Sequence, residues 1–109
     1  MNRIKFFAWL ILVDRLNTKS MLKRRNMLAE EEVNCVMCNL GEEEDIDHLF
    51  FSCPFAQQCW QKLNVTWDNT QNLATRVSAA RSQYPGPFFM EISLIASWEI
   101  WKLRKCLTM

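Results

Sequence analysis

Hydrophobic positions crowd the start of the chain, where Ile4, Phe7 and Ile11 fall on one helical line and Phe6, Leu10 and Val13 on the next. That spacing predicts a helix over residues 3–16 that is apolar nearly all round, and such a helix is expected to be buried. Asn17 breaks the pattern. Thr18 is a good N-cap for a second helix over about 19–27, with Met21 and Leu22 inward and Lys19, Lys23, Arg24 and Arg25 in water.

Residues 28–47 show neither helical nor alternating periodicity, and within them Asn39 and Gly41 can both take the left-handed backbone of a tight turn. Residues 48–52 read as one short helical turn. Pro54 suits the first position of a helix to about Leu63, with Phe55, Cys59 and Leu63 on its apolar line. Polar residues over 64–71 predict a connection to a short helix around 71–81. The run Tyr84-Pro85-Gly86-Pro87 is the firmest break. After it, residues 88–107 read as a long helix with Ile92, Ile95, Trp98, Trp101 and Leu103 along it. The fold class is therefore mainly α: one small helical domain over 1–109, with a C-terminal helix, 88–107, packed on its N-terminal part.

Composition supports a folded chain. Of 109 residues, 50% are hydrophobic and only five are Gly or Pro, while the length is too short for a polymerase or a two-domain catalyst. The net charge of +1 hides segregation. Residues 1–30 carry seven bases against Asp14 and Glu30, whereas residues 31–50 carry seven acids and no base. Only the basic part suits phosphate. The N-terminal charges and the apolar run 6–13 imitate a signal peptide, but no small-x-small cleavage site follows, and eight residues fall short of the roughly 20 needed to span a bilayer. No membrane association is expected. Five cysteines, an odd number, point to reduced thiols in an intracellular, reducing compartment, with nucleus and cytoplasm unresolved.

The chemistry lies in Cys35-x2-Cys38-x9-His48-x4-Cys53, three thiols and one imidazole within nineteen residues. Zinc favours that donor set in tetrahedral geometry, and a Cys-x2-Cys turn lets two sulfurs approach one ion while backbone amides point at them. The alternatives are a redox dithiol or three ordinary buried cysteines; against them, the chain's one histidine falls at ligand spacing. Four protein ligands leave no position for water, so a single structural Zn2+ is expected and no catalysis. On one α-helix His48 and Cys53 would stand about 140° apart, and the break before Pro54 is expected to let Cys53 turn back. Cys59 and Cys106 lie on apolar helical lines and read as core. The acids of 42–47 read as a solvated loop.

The segments Lys5-Phe6-Phe7-Ala8-Trp9-Leu10, Asp14-Arg15-Leu16-Asn17-Thr18-Lys19, Cys35-Val36-Met37-Cys38 and Asp47-His48-Leu49-Phe50-Phe51-Ser52-Cys53-Pro54-Phe55-Ala56, in that order, closely resemble the reverse-transcriptase zinc-binding domain (zf-RVT) of plant LINE-type retrotransposon polyproteins. The resemblance covers about residues 3–63, and 98–105 is similar to the helix that commonly follows. It implies a zinc-bound helical module with Cys35, Cys38, His48 and Cys53 as ligands. The family usually has Pro after the first Cys and Gly after the second, where this chain has Val36 and Asn39, so the turn is less rigidly specified.

The functional expectation is non-specific contact with RNA or DNA through Arg15, Lys19, Lys23, Arg24 and Arg25, the plain alternative being a solvated basic face. A second reading is a protein-interaction or relict structural module, docking on a reverse transcriptase or another protein through exposed aromatic surface such as Trp98 or Trp101, although core packing is the favoured reading of those two residues. No paired-carboxylate, nucleophile–base or phosphate-cradling motif supports an enzyme. Oligomeric state is not legible.

Overall fold

The structure, a computed structural model, describes residues 2–29, 32–38 and 40–108. Among them are five α-helices: α1 (Asn2–Leu12), α2 (Lys19–Arg24), α3 (Pro54–Lys62), α4 (Leu73–Gln83) and α5 (Phe89–Thr108), with a π-helical turn at His48–Ser52 before α3. The described residues contain no strand, only an isolated bridge between Asn34 and Glu43. The chain is thus mainly helical, as its periodicity predicts.

The helix ends differ from expectation for one shared reason. α1 stops four residues short of the predicted end because Asp14 takes a left-handed conformation (φ 56°). Its N–H then bonds Ile11 O at 3.2 Å and that of Arg15 bonds Leu10 O at 2.8 Å. This pair of bonds closes a helix on its own carbonyls. Asn26 (φ 58°) ends α2 and Asn64 (φ 60°) ends α3 in the same way. Behind Asn64, buried Val65 follows buried Trp60, the hydrophobic contact that commonly accompanies this ending. In a chain with two glycines, Asp and Asn supply these left-handed positions. At the other ends, Thr18 caps α2 by accepting the Met21 N–H at 3.3 Å, and Asn72 caps α4 by accepting that of Thr75 at 2.9 Å.

Two aromatic clusters form the core, and consecutive residues of the π turn feed them. Phe50 joins Phe7 of α1 and Trp101 of α5, while Trp98 meets the Phe7 ring edge-on at 5.1 Å. Phe51 meets Trp67 at 5.0 Å, and Trp67 in turn touches Trp60 and Phe89. Leu49, Phe50 and Phe51 are all buried, and each contributes about 1.5–3 kcal/mol by leaving water. Trp98 and Trp101, considered above as docking residues, therefore belong to this packing.

Three expected faces are revised. α1 is buried on the side of Phe7 only; Phe6, Trp9, Leu12 and Val13 are exposed. α3 turns Ala56 and Trp60 inward in place of the line through Cys59 and Leu63. α5 turns in Phe89, Ser93, Ile100, Trp101 and Arg104, leaving Ile95 and Leu103 exposed. The polar members of that line hid it from a hydrophobic reading.

Candidate metal centre

Residues 33–38 and 40–44 form a hairpin-like knuckle around the Asn34–Glu43 bridge, framed by Cys35 N–H to Glu42 O and Glu44 N–H to Val33 O, both at 2.8 Å. Gly41 turns the chain with φ +78°, the left-handed value anticipated for it. Asn39, anticipated to do the same, lies outside the described residues. The backbone N–H groups of Met37 and Cys38 donate to the Cys35 sulfur, as the two-residue spacing predicts.

The second half of the site is built by the π turn. The Cys53 N–H donates to His48 O at 2.7 Å, a bond from residue i+5 to residue i that stacks Cys53 over His48. A regular α-helix would hold the two about 140° apart. The structure thus resolves the spacing by winding the turn wider as well as by breaking the chain at Cys53, whose extended backbone (φ −59°, ψ 132°) begins α3 with Pro54 at its first position. The N–H groups of Phe55 and Ala56 at that helix start donate to the Cys53 sulfur. On the far side, Asp45 Oδ1 accepts the His48 backbone N–H at 2.7 Å.

The four side chains converge: one donor atom from each of Cys35, Cys38, His48 and Cys53 lies within 4.8 Å of the other three. Cys38 Sγ is 3.4 Å from His48 Nε2. Around a tetrahedral zinc with bonds of about 2.3 Å to sulfur and 2.0–2.1 Å to nitrogen, donor atoms stand roughly 3.5–3.8 Å apart, so the cluster is close to ligating size. Cys35 and Cys53 are buried, and Cys38 and His48 are partly exposed. By the protein's own groups, burial first and then the neighbouring sulfurs push the Cys35 thiol up to about 12, and burial raises Cys53 likewise. Buried thiols in mutual contact are poor anions alone; a divalent cation reverses that balance, and the amide donors favour the thiolates.

Cys59 is half-buried and Cys106 is exposed; neither belongs to the cluster. The exposure of Cys106 corrects its assignment to the core.

The acidic stretch beside the site is far from a merely solvated loop. Glu44 is completely buried. Its Oε1 accepts from Arg104 Nη2 at 2.7 Å and from the Lys19 backbone N–H at 2.8 Å, and its Oε2 accepts from Arg104 Nε at 2.9 Å. Glu43 accepts the Ser20 hydroxyl at 2.7 Å and pairs with Lys23 at 3.0 Å, contacts that hold its carboxyl below the usual range, Ser20 first. Asp47 pairs with Arg76 of α4 at 3.0 Å. Glu43 and Glu44 thereby fasten the knuckle to α2 and α5, and Asp47 fastens the start of the π turn to α4; a run of acids carries no signal of this because the partners lie up to 60 residues away.

The five basic residues are engaged in different ways. Lys19 Nζ donates to Asn34 O at 3.0 Å and Lys23 pairs with Glu43, so both lie against the knuckle. Arg24 stands 3.6 Å from Asp14. Arg15 and Arg25 line a groove together with Phe6, Trp9 and Asn17, where Arg25 Nη1 donates to Asn17 Oδ1 at 3.0 Å. Among the described residues no acid pairs with Arg15 or Arg25. No helix among the described residues is long and apolar enough to cross a membrane.

Residues 1–60 match the family described as zinc-binding in reverse transcriptase, zf-RVT. No curated protein and no solved structure is detectably similar to the chain.

Proposed function

The chain belongs to the family of zinc-binding domains of reverse transcriptases, and on that premise we propose that it holds one structural Zn2+ through Cys35, Cys38, His48 and Cys53 and contacts nucleic acid without sequence choice. The observation that carries the metal reading is the convergence of three sulfurs and one imidazole nitrogen within 4.8 Å. Bound there, zinc supplies folding energy: four protein ligands close its coordination and leave no site for a reacting water. His48 and Cys53 clasp the π turn, and Cys35 and Cys38 clasp the knuckle.

Contact with nucleic acid is supported by Arg15 and Arg25, exposed guanidinium groups on one side of the molecule with no acid paired to them among the described residues. Lys19, Lys23 and Arg24, each engaged on the protein, contribute field more than contacts. The order of sequence motifs suggests a plant LINE-type polyprotein as the source. A protein-interaction role is the alternative, and its best support is the apolar outer side of α1.

Metal content, ligand variants and salt-dependent binding test the proposal. Protein purified without added metal should carry about one zinc, and chelation should abolish its far-ultraviolet helical signal. Cys53→Ser should lose the metal and Cys59→Ser should keep it; equal retention in both would remove Cys53 from the site. Affinity for RNA or DNA should fall steeply with salt, and absence of binding even at low salt would refute the nucleic-acid part.

A further inference from the structure

We propose that the outer face of α1 is a stacking platform for the bases of single-stranded nucleic acid. The inference rests on the nucleic-acid reading above and sharpens it from phosphate contact to base contact. Phe6 and Trp9 are 61% and 54% exposed, and their rings form a stacked pair with centroids 5.9 Å apart and planes 22° apart. Val13, just past the end of α1, lines the same groove. These residues form one wall of a groove of about 670 Å³, and Arg15 and Arg25 stand in the same groove. Among the described residues no acidic side chain lines it.

The combination of flat apolar surface with arginine selects the occupant. A large aromatic pair left in water is costly, at about 25 cal/mol per Å² of apolar area, and asks to be covered. A purely apolar partner would leave Arg15 and Arg25 facing it without counter-charge. A single strand presents flat π faces and phosphates at short, regular intervals, and so covers the rings and neutralises the guanidinium groups together. A duplex keeps its base faces stacked inside and can offer only the phosphates. The platform therefore sorts strands by pairing state, with either sugar accepted through the shared chemistry of base and phosphate.

The test uses the zinc-loaded 109-residue chain with labelled single-stranded RNA, single-stranded DNA and the corresponding duplex, each titrated across a salt series by fluorescence anisotropy. Wild type should bind one or both single strands more tightly than duplex. The double variant F6A/W9A should lose about five- to hundredfold in single-strand affinity, with duplex affinity and salt slope unchanged. R15Q/R25Q should weaken both and flatten the single-strand salt slope by about 1.4, at 0.7 per phosphate contact. Trp9→Phe keeps a stacking ring and the helix: it should bind within a few-fold of wild type while losing part of the tryptophan quenching that single strands cause. Single-strand affinity undiminished in F6A/W9A would overturn the platform and leave the phosphate reading standing. Absence of binding to every oligonucleotide would refute the phosphate reading itself. Dimers in wild type that F6A/W9A dissolves would assign the face to a second copy of the chain and overturn the proposal.

Discussion

Arg104→Met is the most informative perturbation of this fold. Glu44 is completely buried and accepts three hydrogen bonds, two of them from the Arg104 guanidinium, whose side chain is itself only 9% exposed and lies 4.7 Å over the Trp101 ring. Methionine fills much of the arginine stem's volume but leaves a buried carboxylate with the Lys19 N–H as its remaining donor. Breaking a buried pair on one side costs about 3–5 kcal/mol. Total stability for a domain of this size is about 5–15 kcal/mol, so the loss is a large share of it. At about 4 °C per kcal/mol, the melting temperature should drop by roughly 12–20 °C. Replacing both partners, E44L/R104M, removes the stranded charge and should fall within about 1–2 kcal/mol of wild type, the residue of the cost being the unpaired Lys19 N–H. Urea and thermal melts of zinc-loaded protein, followed by circular dichroism, measure the cycle. A loss under about 1 kcal/mol in R104M, or a double variant no better than the single, would refute the reasoning, since either result means that water reaches Glu44.

Further outcomes follow from the same structure. Because burial pushes the Cys35 thiol up to about 12 and raises Cys53 as well, zinc must displace protons from both at neutral pH; calorimetry in buffers of different ionisation enthalpy should register at least two released per ion, and affinity should rise with pH. Phe88 sits left-handed (φ 67°) just before α5 and is largely exposed; Phe88→Gly should stabilise by about 0.5–1 kcal/mol in urea melts, the strain relieved less the added chain entropy. Glu43 titrates below its ordinary value of 4.5, held there by Ser20 and then Lys23. Its lowered folded value means a contribution present above that pH and lost as pH falls through the folded value, and Glu43→Gln should flatten the acid limb of a stability–pH profile.

The metal cluster was legible because ligand chemistry admits few residue types and the chain has one histidine at the right spacing. Helix existence was legible from periodicity and caps, as Thr18 shows. What stayed hidden was direction. A helix that is apolar all round, like α1, carries no mark of which side meets water, so Phe6 and Trp9 read as core. The inward line of α5 runs through Ser93 and Arg104, and an arginine scores as surface until its buried carboxylate is known. Helix ends were missed where Asp14 and Asn26 did work that sequence reading assigns to glycine. The wide turn at 48–52 had one trace, the incompatibility of a five-residue spacing with a shared α-helical face.

His48 and Cys53 bracket Phe50 and Phe51, the two residues of the π turn that supply the two aromatic clusters. An ion held there as proposed would restrain the same short stretch from which Phe50 reaches one half of the core and Phe51 the other. On the proposed zinc site, loss of the ion would loosen both halves together and so couple folding to metal occupancy. In a cell, the steady amount of intact protein would then track the free zinc concentration, with the empty chain removed by proteolysis, and chelation would act on its abundance before it acted on any surface.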